Sequence, residues 1–107
     1  MEREKMIDSK ARQNTVEQNL KYFEEMCTGK VTDYCIRAKM NMQDKVGCLR
    51  DPVFYRCKDT PHHRTGTQYK AYPTYDLTVP IVDSLEGVTH ALRTIEYRDR
   101  NPLYAWV

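Results

Sequence analysis

The run LTVPIV at residues 77–82, followed by DSLEGVTHALRTIEYRDR at 83–100, decides how this chain is read. Leu77 to Val82 is almost continuously apolar and is interrupted by Pro80, the pattern of a segment covered on both faces, as in a parallel sheet. Asp83 or Ser84 then caps a short helix with Leu85, Val88 and Leu92 on its inner side, and Ile95 opens or continues a strand. Strand, helix, strand is the grammar of an α/β nucleotide-binding sheet, so the fold class is α/β. Straight after the apolar run the chain crowds Thr89, His90, Arg93 and Thr94 together, and that crowding suits one wall of an active site.

Working outward, Thr15-Val16-Glu17-Gln18 is a capping box, with Val16, Leu20, Phe23 and Cys27 following on one helical face and Gly29 as the stop. Residues 2–12 alternate charges and predict a solvated helix or a frayed lead-in. Residues 34–40 alternate apolar and basic, which predicts a half-buried strand with Arg37 and Lys39 on its polar face. A loop at 41–47 and a turn at Leu49-Arg50-Asp51-Pro52 lead to a second strand over 53–58. Residues 59–68 form a loop tip, and Tyr69–Tyr72 returns as a third strand. Pro73 to Asp76 is expected to turn. Asn101 and Pro102 open a last helix, on which Leu103, Trp106 and Val107 begin an apolar face. A large Trp on so short a helix predicts a segment cut from a longer protein.

The bulk numbers exclude several classes. The chain has 107 residues with a formal net charge of +2, and its mean hydropathy is −0.77. That balance is too mild to announce a nucleic-acid binder, and no apolar run approaches the roughly 20 residues a membrane span requires. The charged start MEREKMIDSK has no secretory apolar core, which predicts a cytoplasmic protein. Cys27, Cys35, Cys48 and Cys57 are separated by 7, 12 and 8 residues. These spacings contain no zinc knuckle, so reduced thiols are expected and no bound metal, although His62 and His63 close behind Cys57 keep a zinc-stabilised domain as an alternative.

The stretches CIRAKMNM (35–42), LRDPVFYRCK (49–58), PHHRTG (61–66), YPTYDLTVPIVDSLEGVTHALRTIEYRDR (72–100) and LYAWV (103–107) resemble the glutamyl- and glutaminyl-tRNA synthetases of class I. The similarity runs in one register from about residue 15 to 107. It is greatest to the archaeal and eukaryotic glutamyl type, including the glutamyl half of fused glutamyl-prolyl enzymes. The resemblance implies that residues 1–72 form an inserted α+β subdomain that binds the tRNA acceptor stem. Residues 73–107 would then begin the second half of the split Rossmann catalytic domain. Neither a HIGH-like motif nor a KMSKS-like loop occurs in these 107 residues, so the segment alone is expected to be inactive.

Position by position, the resemblance implies that Tyr75 and Arg93 bind glutamate, that Thr94 and Gly87 lie at ATP, and that Asp99 reads the first base pairs of the acceptor stem. Arg93 suits its part because a guanidinium is a rigid donor fork that pairs with a carboxylate at every working pH. Glutaminyl relatives tend to carry a small uncharged residue there, so arginine favours glutamate. A carboxylate such as Asp99 accepts from a guanine amino group in the shallow groove of A-form RNA. Arg37, Lys39 and Arg50, with Arg56 and Lys58, are candidates for phosphate contacts or for a merely solvated face. His90 reads as a packing or hydrogen-bonding residue, and Leu77 replaces the aromatic that usually follows the Tyr-Asp pair. The partners implied are the acceptor stem of glutamate tRNA, glutamate, ATP with magnesium, and other synthetases in an assembly. Two alternatives stand beside this reading: a glutaminyl enzyme, and a stand-alone tRNA-binding module without chemistry.

Overall fold

The computed structural model describes residues 2–107. Helix α1 (Val16–Cys27) forms as its local signals dictate. Thr15 Oγ1 accepts the Gln18 N–H at 3.2 Å and Gln18 Oε1 accepts the Thr15 N–H at 2.9 Å, so two orphan donors are satisfied reciprocally. At the other end Gly29 takes φ +75°, and the Lys30 N–H reaches back to the Glu25 carbonyl at 2.9 Å. This left-handed closure is the one glycine permits at no steric cost. The face expected to be buried is covered only in part. Val16 and Leu20 are 69% and 58% exposed, while Met26 is fully buried. Only the second half of the helix reaches the sheet, where Phe23 meets Tyr55 edge to face at 5.0 Å and Tyr22 meets Tyr34 at 5.5 Å.

Strands β1 (Cys35–Arg37), β2 (Val53–Cys57) and β3 (Ala71–Pro73) form one antiparallel sheet in the order β1-β2-β3. Cys35 pairs with Arg56 and Ile36 with Tyr55, and an irregularity then brings Arg37 opposite Val53. Pro73 ends β3 on the sheet's edge, where a missing N–H is tolerated. The β2–β3 loop is closed at its tip by reciprocal backbone bonds between His62 and Gly66 at 2.9 and 2.8 Å.

The deepest node lies between β1 and β2. Asp51, 4% exposed and at φ +41° before Pro52, forms an ion pair with Arg12 and accepts the Met40 N–H at 2.8 Å. Its carbonyl accepts from Arg37 Nη1 at 2.8 Å, and Lys39 Nζ donates to the Arg12 carbonyl at 2.8 Å. The lead-in, expected as a solvated helix or a frayed segment, has a 3-10 turn at Lys10–Gln13 as its regular part and is thereby fastened to the sheet.

The decisive run folds differently from its reading. Residues 77–82 lie inside helix α2 (Tyr75–Leu85), with Pro80 within it, and the expected turn at Pro73–Asp76 is its start. Thr74 fixes that start: its N–H donates to the Phe54 carbonyl and its hydroxyl to that of Val53, both at 2.8 Å. An apolar run of this length suits a covered strand and a covered helix equally, and anchoring at Thr74 selects the helix. Asp83 and Ser84 therefore finish a helix instead of capping one. The α/β expectation holds as mixed helices and strands, but the described residues after 73 contain no strand. Ile95–Arg100 is a 3-10 segment where a strand was expected, and α3 spans Asn101–Trp106. Leu103 of α3 is fully buried, and Trp106 packs against Phe54 at 6.3 Å.

Removing the Asp51 carboxylate strands a part-buried guanidinium and the Met40 amide. Asp51→Ala is expected to lower unfolding free energy by about 2–3 kcal/mol in urea titrations, with Asp51→Asn losing less because it keeps an acceptor. Thr15→Ala is expected to cost about 1 kcal/mol in the same assay, and Thr15→Ser to be close to neutral.

Candidate active site

Helix α2 and the segment after it bring a circuit of side chains together. Arg93 donates from Nη2 to Asp83 Oδ2 at 2.5 Å and lies over the Tyr104 ring with 5.0 Å from Cζ to the centroid. The Tyr104 hydroxyl donates to Asp76 Oδ1 at 3.1 Å, and Asp76 is ion-paired with Arg100. Arg100 in turn lies 5.9 Å from the Tyr97 ring centroid, and Tyr97 packs on Tyr75 at 4.9 Å. Tyr75 also acts on the Arg93 charge, which brings the chain of contacts back towards its start. Burial works against the Arg93 charge, but the Tyr75 hydroxyl and the Asp83 carboxylate outweigh it and raise the guanidinium's pKa above its ordinary value.

Arg93 Nε is nevertheless buried with no acceptor. A buried donor left unmade costs about 1–3 kcal/mol, and an anionic oxygen is the acceptor that would satisfy it best.

Of the residues singled out in the sequence, Tyr75 and Arg93 are thus in one place. Asp99 and Arg37 line a shared cleft of about 920 Å³ bounded by Thr74, Asp76, Arg98 and Arg100. Thr94 is exposed and begins the 3-10 segment, its carbonyl accepting the Tyr97 N–H at 3.0 Å. Gly87 takes φ +68° with no protein atom within 4 Å of an added Cβ, so glycine serves the left-handed helix ending and not a tight contact with another element of the chain. Lys39 lies on a separate cleft of about 490 Å³ beside Arg12 and Tyr34. Arg50 turns inward on its own loop, donating to the Asp44 and Lys45 carbonyls at 2.5 and 3.1 Å. His90 is exposed, and its Nδ1 is 2.9 Å from the Thr89 hydroxyl.

Asp76, Asp83, Tyr97, Arg100 and Tyr104 escaped the sequence reading. Once 75–85 is taken as a helix, Asp76 and Asp83, seven residues apart, fall on one face; the strand reading hid this. All four cysteines are free thiols, and burial pushes the Cys57 thiol up. Among the described residues no group of three or more His, Cys, Asp or Glu side chains is placed to hold a metal ion, and no helix is long and apolar enough to cross a membrane.

The antiparallel sheet is thus joined through α2 to an arginine–tyrosine cluster in which Arg93 Nε has no acceptor. The family model for tRNA synthetases class I (E and Q), catalytic domain, matches residues 1–107. This chain belongs to that family. It is 55% identical over 108 residues to the bifunctional glutamate/proline–tRNA ligase of Drosophila melanogaster, covering 99% of this chain and 6% of that protein. It is 57% identical over 108 residues to the probable cytoplasmic glutamate–tRNA ligase of Schizosaccharomyces pombe, covering 99% of this chain and 15% of that one. Against the cytoplasmic glutamate–tRNA ligase of Saccharomyces cerevisiae it is 57% identical over 104 residues, 94% of this chain and 15% of the relative. The chain therefore spans only about one-sixteenth to one-seventh of these relatives.

Burial, and then the bond to Asp76, push the Tyr104 hydroxyl up to about 12. Its proton is held more tightly in the folded state, so the associated stability is complete below the unfolded tyrosine value of about 10 and is lost as pH rises through about 12. Unfolding measured across this window is expected to show a steeper loss for the native chain than for Tyr104→Phe.

Proposed function

We propose that this chain works as part of a cytoplasmic glutamate–tRNA ligase, which activates glutamate with ATP and transfers it to glutamate tRNA. The observation that carries the reading is the buried, acceptor-less Arg93 Nε beside Tyr75. In this reading the side-chain carboxylate of glutamate is that acceptor. The relatives compared above are all named glutamate–tRNA ligases, alone or fused to a proline–tRNA ligase, which supports the same substrate. A glutamine amide can offer its oxygen to the guanidinium but brings no negative charge, so it makes the weaker bond, and arginine at this position disfavours the glutaminyl alternative.

In the same reading, residues 1–72 are the acceptor-stem insertion and 73–107 begin the second half of a Rossmann catalytic domain. Thr94 and Gly87 lie towards ATP, which arrives with its magnesium as a substrate complex. Asp99 and Arg37 meet the acceptor end in the cleft they share, where a carboxylate for base edges and a cation for phosphate stand together. Lys39, on the separate cleft beside Tyr34, and Arg50, which shares a third cleft with Arg37, are further candidates for acceptor contacts. The fused relatives favour an assembly with other synthetases. Adenylate formation itself depends on residues outside these 107.

The test is Arg93→Cys in the full-length chain. KM for glutamate is expected to rise by about a hundredfold, while KM for ATP stays near its native value, because only the carboxylate contact is lost. Unchanged use of glutamate would overturn the reading.

A further inference from the structure

We propose that Asp83 is a positioning residue for the amino-acid pocket: its Oδ2 fixes the guanidinium of Arg93 so that Nε is aimed at the substrate carboxylate. The inference rests on the pocket reading above and adds to it the group that sets the arginine's orientation.

Three constraints act on Arg93. Asp83 holds Nη2 at 2.5 Å, the Tyr104 ring supports the cation from 5.0 Å, and the Nε donor remains without an acceptor. An arginine side chain has many rotamers, and each one frozen beforehand is entropy the substrate does not have to remove. Asp83 can act as a fixed post because its own backbone is tied down. It lies in the last turn of α2, where its carbonyl accepts the Val88 N–H at 2.9 Å across the left-handed Gly87. The pair is also shielded, with side chains 18% exposed for Arg93 and 31% for Asp83.

The charge balance makes the assignment specific. Arg93 and Asp83 together are neutral, so an arriving carboxylate is recognised less by net charge than by meeting a correctly aimed donor. Orientation therefore decides affinity here, and the acceptor oxygen at residue 83 sets orientation. Asn keeps such an oxygen on a side chain of the same shape, whereas Ala and Ser do not reach.

The experiment is steady-state kinetics of glutamate activation with the full-length chain, native and carrying Asp83→Ala, Asp83→Ser, Asp83→Asn or Arg93→Cys, with melting temperatures recorded alongside. For Asp83→Ala and Asp83→Ser, KM for glutamate is expected to rise about tenfold, with kcat and KM for ATP within about twofold of native. Asp83→Asn is expected to stay within about threefold for all constants because the acceptor is retained. An unchanged or lowered glutamate KM in the Ala and Ser variants would overturn the proposal, as would an equal rise in Asp83→Asn. A parallel shift of kcat, both KM values and melting temperature would overturn it too, since that marks general damage to α2. If Arg93→Cys leaves glutamate KM unmoved, the pocket reading itself fails, an outcome separate from any behaviour of residue 83.

Discussion

Burial of the Asp51 carboxylate is the constraint on which the first two-thirds of this chain depends. A charge in that position is tolerable only when it is paired and hydrogen-bonded, and its partners come from two separate stretches, Arg12 in the lead-in and the Met40 amide just after β1, while Arg37 of β1 holds the Asp51 backbone carbonyl. Those bonds bring the lead-in, the exit of β1 and the entry of β2 to one point. The positive φ of Asp51 is sustained because so many partners determine it at once. β2 then supplies the carbonyls of Val53 and Phe54 that hold Thr74 and so begin α2. The order from buried acid to sheet to helix places Tyr75 and Asp76 where the arginine circuit needs them.

That circuit has a division of labour. Asp76, with Tyr104 and Arg100 as partners, joins α2 to the two segments beyond residue 94. Asp83, on the same helix face, meets only the arginine among the ion pairs described. Aromatic rings lie among the charges, with Tyr104 5.0 Å from Arg93 and Tyr97 5.9 Å from Arg100, within reach of a cation–π attraction. One acid thus ties α2 to the segments beyond it, and the other holds the arginine proposed to meet the ligand.

How much of this was legible in the sequence depends on how local each signal is. The capping box at Thr15 and the glycine stop at Gly29 involve neighbours a few residues apart and were read correctly, as were β2 and the start of α3. The run 77–82 was misread because apolar residues and one proline suit two covered structures, and its anchor at Thr74 lies outside it. The Arg12–Asp51 pair spans 39 residues and leaves no periodic trace. For the same reason the covered extent of the α1 face was misjudged: a hydrophobic stripe tells which residues are apolar, not how far the sheet extends beneath them. Tyr75 and Arg93 were singled out through resemblance, because alone each is an ordinary surface residue. Their meeting in the structure is the fact that the sequence could not supply.

The central claim is that glutamate supplies the missing acceptor at Arg93, and the most direct measurement is a crystal structure of the full-length chain with glutamate bound. A side-chain carboxylate oxygen about 2.7–3.2 Å from Arg93 Nε, with Asp83 still on Nη2 and the Tyr75 hydroxyl in contact with the ligand, is the result this account predicts. Glutamate bound with its carboxylate elsewhere, and Nε still without an acceptor, would contradict it.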